Sequence, residues 1–215
     1  MSKPEITVID YGVGNLLSVQ RGLEHCGARV TLTSNPDVVV AAKRVVLPGV
    51  GAFSNAMQAL KDRGMVQALQ AVAKSGMPLL GICLGMQLLL EESEEFGLTK
   101  GLGLIPGRVV PVPTQSVPGE PQKIPHIGWN GLVVSESRGD WAGTLLRDNA
   151  QGEAVYFVHS YMAVPTESAH RLADCIYGGH RVSAAICKDR ITGCQIHPEK
   201  SGELGLKILR RFCAD

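Results

Sequence analysis

The sequence lacks an excess of either charge: 21 Lys+Arg stand against 20 Asp+Glu, a formal net charge of +1. Such a balance excludes the electrostatic footprint of a general nucleic-acid binder, an acidic disordered tail and a polybasic membrane anchor. Long apolar runs are missing too. The most hydrophobic stretch, 77–90, is shorter than the roughly 20 residues that cross a bilayer, and it contains Pro78 and Gln87. The first ten residues carry no basic region, apolar segment or small-residue cleavage site of a secretory signal. These features predict a cytoplasmic protein without membrane association, its six cysteines reduced rather than paired. No C-x-x-C pair is present. The set Cys187, Cys194 and His197 falls on a strand pattern, so neither a metal nor a cofactor is expected.

What is present is 215 residues, 45% of them hydrophobic, enough for one core without disulfide or metal staples. Short β-branched runs alternate with helical patterns through the first half. Strands are predicted at 6–10, 30–33, 44–47 and 79–82, and helices at 16–26, 52–74 with a break at Gly64, and 84–92. The second half is richer in strand: 104–112, 132–134, 154–164, 172–177, 182–188 and 193–196, then a terminal helix at 203–212 with Leu204, Ile208 and Leu209 inward. The stretch 111–125 holds five prolines and predicts a surface loop. No repeat or composition break divides the chain. The expectation is a single α/β domain over 1–215, with a largely parallel central sheet flanked by helices and a β-rich second half.

Chemistry concentrates at Gly81-Ile82-Cys83-Leu84-Gly85, which follows an apolar strand and precedes a helix. That context makes G-x-C-x-G a nucleophile elbow: flanking Cβ atoms would collide where the turn brings backbone together. A thiolate there is favoured by the helix N-terminus and a neighbouring base. The N–H of Leu84 supplies one oxyanion donor, and the loop Gly49-Val50-Gly51 is the best source of a second. His197-Pro198-Glu199 supplies the base and its orienter, since residues two apart on an extended chain project to one side. That assignment requires the strands before Cys83 and His197 to lie close together. The other five cysteines sit in apolar patterns and are expected in the core. His159, within an aromatic segment, is expected to line a binding wall, and His25, His170 and His180 to lie on the surface. Gly12-Val13-Gly14-Asn15 fails the dinucleotide pattern because Leu17 stands where a glycine is needed.

With these residues in hand the chain resembles the class I (triad) glutamine amidotransferases over nearly its whole length. The elbow through Met86 and Gln87 and the downstream His197-Pro198-Glu199 mark the superfamily. The segments 47–53, 125–130, 156–161 and 195–201 are similar to the glutaminase subunits of imidazole glycerol phosphate synthase. Ile127 and Ile196 depart from that pattern, where methionine and phenylalanine are common. The resemblance implies hydrolysis of L-glutamine through a Cys83 thioester, with Gln87, Ser160 and Tyr161 in the glutamine pocket. It also implies a separate cyclase partner, a (β/α)8 barrel that receives ammonia within a heterodimer, and Asn15, Trp129 and Lys200 toward that interface. It further places the oxyanion loop at 49–51, and we add the hypothesis that a peptide in this loop faces the wrong way in the isolated chain and turns when the partner binds. The alternatives are the glutaminase subunit of another ammonia-channelling synthase, a cysteine hydrolase of esters or peptides, and a non-enzymatic scaffold of the same fold. A missing Cys, His or Glu would favour the last, and all three residues are present.

Overall fold

A computed structural model describes residues 3–214. Its centre is an eight-stranded sheet. The parallel part comprises β1 (Glu5–Ile9), β2 (Arg29–Thr33), β3 (Val45–Gly49) and β4 (Leu79–Cys83). β1, β3 and β4 are short apolar runs, buried throughout in β3 and β4, as expected of strands covered on both faces, whereas β2 is the largely exposed edge strand. Between them run α1 (Leu16–His25), α2 (Pro36–Val40), α3 (Phe53–Asp62) and α4 (Met65–Lys74). Gly64, at φ 67, separates the last two helices. Alternate residues of each strand enter different cores. Val46, Leu80 and Ile82 pack with Val19 and Leu23 of α1, whereas Val45, Leu47 and Leu79 pack with Met57, Leu60 and Leu69 of α3 and α4.

The predicted helix at 84–92 is shorter than expected: α5 spans Leu84–Leu88, and Glu92–Ser93 is already strand β5. Leu88, Leu89 and Leu90 are all fully buried, and a fully buried run carries no periodicity to show where a helix stops. The predicted strand at 154–164 is two strands. β10 (Ala154–His159) pairs with β8 (His126–Gly131), an element the sequence pattern did not reveal, and β11 (Tyr161–Pro165) pairs with β7 (Gly107–Pro111). The chain changes sheets at Ser160, whose carbonyl accepts from Val112 N–H at 2.9 Å. β7 begins at Gly107 rather than 104, and with β11, β5 and β6 (Thr99–Lys100) it forms a four-stranded sheet. The proline-rich stretch stays outside regular structure beyond Pro111, apart from an isolated bridge between Gln115 and Pro121.

The remaining strands complete the central sheet. β9 (Val133–Val134), β12 (Arg171–Tyr177), β13 (His180–Lys188) and β14 (Ile191–Cys194) run antiparallel to one another, and β14 lies parallel beside β4. Gly193 stands opposite Gly81, and Cys194 opposite Ile82. On the other flank Gly49 stands opposite Cys83. The helix α6 (Gly202–Ala214) closes the chain, burying Ile208 and Leu209 with Leu204 half-buried. β4 thus lies between β3 and β14, so the loops after all three open at one edge. In α/β sheets ligands gather at such carboxyl ends.

Candidate active site

Cys83 ends β4 and immediately precedes α5, with φ 55 and ψ −112. A non-glycine residue at positive φ is strained, and the flanking glycines make the turn possible. A Cβ on Gly85 would lie 1.8 Å from the Leu47 carbonyl oxygen, and one on Gly81 2.6 Å from that of Gly85. On Gly49 a Cβ would meet the Tyr11 hydroxyl at 2.6 Å, which itself donates to the Pro48 carbonyl at 2.9 Å. The elbow is therefore wedged against the end of β3, and Val50 and Gly51 emerge beside it to line the same cavity. Leu84 opens α5, where first-turn N–H groups have no partner inside the helix.

The adjacency of β4 and β14 brings His197 to Cys83. His197 Nδ1 and Glu199 Oε1 are 2.8 Å apart, with both side chains buried. Burial by itself disfavours the imidazolium, but hydrogen bonds to Cys83 and to Glu199, with their charges, outweigh it and raise the His197 pKa to about 9. Packing holds this segment in place. Ser201 Oγ donates to the His197 carbonyl at 2.8 Å and accepts from Tyr156 N–H at 3.0 Å, while His197 N–H donates to the Tyr156 carbonyl at 3.2 Å. Gly205 of α6 lets the helix approach: a Cβ there would stand 1.9 Å from the Pro198 carbonyl oxygen.

Before the elbow lies a cavity of about 320 Å³. Gln87, Ser160 and Tyr161 line it, as does Lys200, exposed at its rim. Gln87 is buried and donates to the Tyr161 carbonyl at 3.1 Å. His159 forms part of the wall, as expected, and is held neutral: burial is the main reason that its pKa falls to about 4. It lies 2.8 Å from the Tyr161 carbonyl through Nδ1 and 3.1 Å from His126 Nδ1 through Nε2. His126 is stacked between Phe157 and Tyr177, with centroid separations of 4.8 and 4.0 Å.

Two residues at the site were not expected from sequence. Glu95 faces the cavity while Oε2 accepts from the Phe53 N–H at 2.5 Å, capping α3 where Ala52 offers no side-chain acceptor. Gln195 is fully buried, with Nε2 3.7 Å from Cys83 Sγ. Gln195 is signalled only as a polar side chain beside an apolar run, and Glu95, one of four glutamates between 91 and 95, by nothing that sets it apart.

Other expectations are corrected. Cys26 and Cys187 are half-buried rather than core, whereas Cys175, Cys194 and Cys213 are buried. Burial pushes the thiols of Cys175 and Cys194 up to about 12, and that of Cys213 to about 11. His170 and His180 are half-buried, and only His25 of that trio is exposed. Trp129, expected toward an interface, is 58% exposed, with its ring edge-on to Tyr156 at 6.1 Å. Asn15 precedes α1 without a side-chain capping bond. Among the described residues no cluster of three His, Cys, Asp or Glu could hold a metal, and no helix is long and apolar enough to cross a membrane.

Known proteins match this chain along almost its whole length. The family model of class-I glutamine amidotransferases matches residues 7–215. The chain is 50% identical over 207 residues to imidazole glycerol phosphate synthase subunit HisH 1 of Legionella pneumophila strain Lens, covering 96% of this chain and 97% of the relative. It is 47% identical over 209 residues to subunit HisH of Gloeobacter violaceus, covering 97% and 88%. The fold is similar to that of a crystal structure of a glutamine amidotransferase, at a TM-score of 0.71 and 13% identity, covering 97% of this chain and 99% of that one. It is likewise similar to a chain in the structure of PurLQS from Thermotoga maritima, at 0.70 and 18%, covering 98% of each. The chain belongs to the class-I glutamine amidotransferases and, within them, to the HisH subunits of imidazole glycerol phosphate synthase.

Proposed function

We propose that this chain hydrolyses L-glutamine to glutamate and ammonia in histidine biosynthesis and passes the ammonia to a separate cyclase subunit, a (β/α)8 barrel. The observation that carries the reading is the buried His197–Glu199 pair at 2.8 Å, hydrogen-bonded onward to a cysteine on a strained elbow. Cys83 Sγ attacks the side-chain amide carbon of glutamine. The oxyanion is met by the N–H of Leu84 and by the loop Gly49-Val50-Gly51. The tetrahedral intermediate collapses as His197 gives its proton to the departing nitrogen, leaving ammonia and a γ-glutamyl thioester. Neutral His197 then takes a proton from water, the resulting hydroxide attacks the thioester, and the C–S bond breaks to release glutamate. Glu199 holds the imidazole in orientation and stabilises its charged form.

The cavity suits a zwitterionic amino acid. Gln87, Ser160 and Tyr161 offer polar contacts, and the Glu95 carboxylate complements an α-ammonium group. Lys200 at the cavity rim, Trp129 beside Tyr156, and Asn15 at the start of α1 form the face toward the barrel in this reading. Reorientation of the 49–51 loop when the partner binds would complete the oxyanion site and keep glutamine from being wasted. The protein acts in the cytoplasm as one half of a heterodimer.

The test is glutamate release by the full chain, with and without the barrel subunit and its nucleotide, for wild type and Cys83→Ala. Turnover raised about 10²–10³-fold by the partner, and abolished by Cys83→Ala, is the expected result. Turnover that survives Cys83→Ala rejects the mechanism.

A further inference from the structure

Gln195 stands two residues before His197 on the segment leaving β14, and it is fully buried without lining the cavity. Its Nε2 is 3.7 Å from Cys83 Sγ, within hydrogen-bonding distance of sulfur. Its Oε1 accepts from Gln87 Nε2 at 2.9 Å, and the same nitrogen donates to the Tyr161 carbonyl at 3.1 Å. Side-chain amides can be flipped without changing their shape, so their orientation follows from their partners. A backbone carbonyl only accepts. Gln87 must therefore turn its NH2 toward Tyr161, Gln195 must meet that NH2 with its oxygen, and the Gln195 NH2 is left for the sulfur.

The geometry points to Gln195 as a catalytic hydrogen-bond donor to the Cys83 sulfur, a role that rests on the glutaminase reading and deepens it. An amide nitrogen has no lone pair to offer a thiol proton, so Gln195 can only donate. Its interaction grows with negative charge on sulfur, and it favours thiolate over thiol or thioester. His197 cannot supply the same support throughout the cycle, because it surrenders its proton to the departing nitrogen. Gln195 does not titrate. It remains a donor when sulfur attacks and again when sulfur leaves the γ-glutamyl carbon carrying the bonding electron pair. Gln87 thereby serves two purposes, since it lines the cavity while its NH2 orients the donor behind the nucleophile.

Two variants test this. Gln195→Met removes the donor while Gln87 keeps its bond to Tyr161, and Gln195→Glu replaces the donor with an isosteric carboxylate that preserves packing. The pH midpoint of iodoacetamide alkylation at Cys83, read by peptide mass spectrometry on the full chain, should rise by about one pH unit in Gln195→Met and further in Gln195→Glu. With the barrel subunit present, kcat should fall about tenfold and KM for glutamine stay within about twofold, because Gln195 does not face the cavity. A lower melting temperature with an unmoved alkylation midpoint would show a packing role and overturn the proposal, as would an unchanged kcat in both variants. If wild type turns over, Cys83→Ala is inactive and the Gln195 midpoints do not move, only this proposal falls. Turnover retained by Cys83→Ala removes the glutaminase reading with it.

Discussion

His197 is the residue where burial and pairing oppose each other most directly. Burial would strip its proton, yet its bonds to Cys83 and Glu199 hold it charged up to a pKa of about 9. The imidazolium is thus ready to protonate a leaving nitrogen at neutral pH. In the proposed mechanism glutaminase kcat/KM should decline as pH rises through about 9, as the general acid of the free enzyme is lost. Glu199→Gln removes one of the supporting bonds, so this alkaline limb should move to lower pH and kcat fall by at least about tenfold. A pH profile of the variant with its limb unmoved would show that Glu199 does not set the charge of His197. Stability carries the opposite signature at His159. Its pKa falls to about 4 in the fold against an ordinary value of about 6.5. Its contribution is therefore complete above about 6.5 and is lost as pH falls toward 4, by on the order of 3 kcal/mol. His197, protonated in both folded and unfolded chains across most of that window, adds little slope there. Urea denaturation at pH 7 and pH 4.5 should show a smaller loss for His159→Asn than for wild type. At this scale the elbow and the i, i+2 relation of His197 to Glu199 were legible, because each is a local pattern with a steric or projection rule behind it. Gln195 and Glu95 were not. Their roles depend on which distant atoms meet them, Cys83 in one case and the Phe53 N–H in the other.

Among the elements, strands β3, β4 and β14 were readable from β-branched runs and turn residues, and their adjacency was a requirement the sequence could state but not meet. The pairing of Cys194 with Ile82 meets it. The break at Ser160 was invisible, since strand-forming residues continue on both sides of it while hydrogen-bonding partners change from β8 to β7. Helix α6 shows how an element remote in sequence sets the site. It presses on the turn Pro198–Lys200 through Gly205, where any side chain would enter the Pro198 carbonyl. Gly205→Ala should therefore cost about 1–3 kcal/mol, against the small gain alanine gives elsewhere in a helix. Because the displaced carbonyl neighbours His197 and Glu199, kcat should fall with stability. Alanine at solvent-exposed Gly202, close behind the turn, faces open space at φ +60, and its cost should be confined to backbone strain of about 1 kcal/mol. Equal kinetic losses in the two variants would refute the packing argument.

For the molecule as a whole, the two tryptophans differ in exposure, and in the proposed heterodimer that difference would separate holding a partner from folding. Trp141 is 5% exposed and donates Nε1–H to the Leu172 carbonyl at 3.0 Å. Trp129 is 58% exposed on β8, with Ile127 at 54% on the same outward-facing side of that strand. Tyr156, against which Trp129 rests, is tied to His197 and Ser201 through its backbone, so a partner seated there would touch a structure continuous with the site. Exposed aromatics of this kind dominate binding energy when a partner covers them, at about 2 kcal/mol or more each. Trp129→Ala should therefore weaken binding of the barrel subunit about 30-fold in calorimetric titration, with a chemical denaturation midpoint like that of wild type. Trp141→Ala should do the reverse, losing about 3–5 kcal/mol of folding stability while the fraction that folds binds with unaltered affinity. If Trp129→Ala instead unfolds the chain and leaves affinity intact, the proposed assignment of this face to the barrel subunit is wrong.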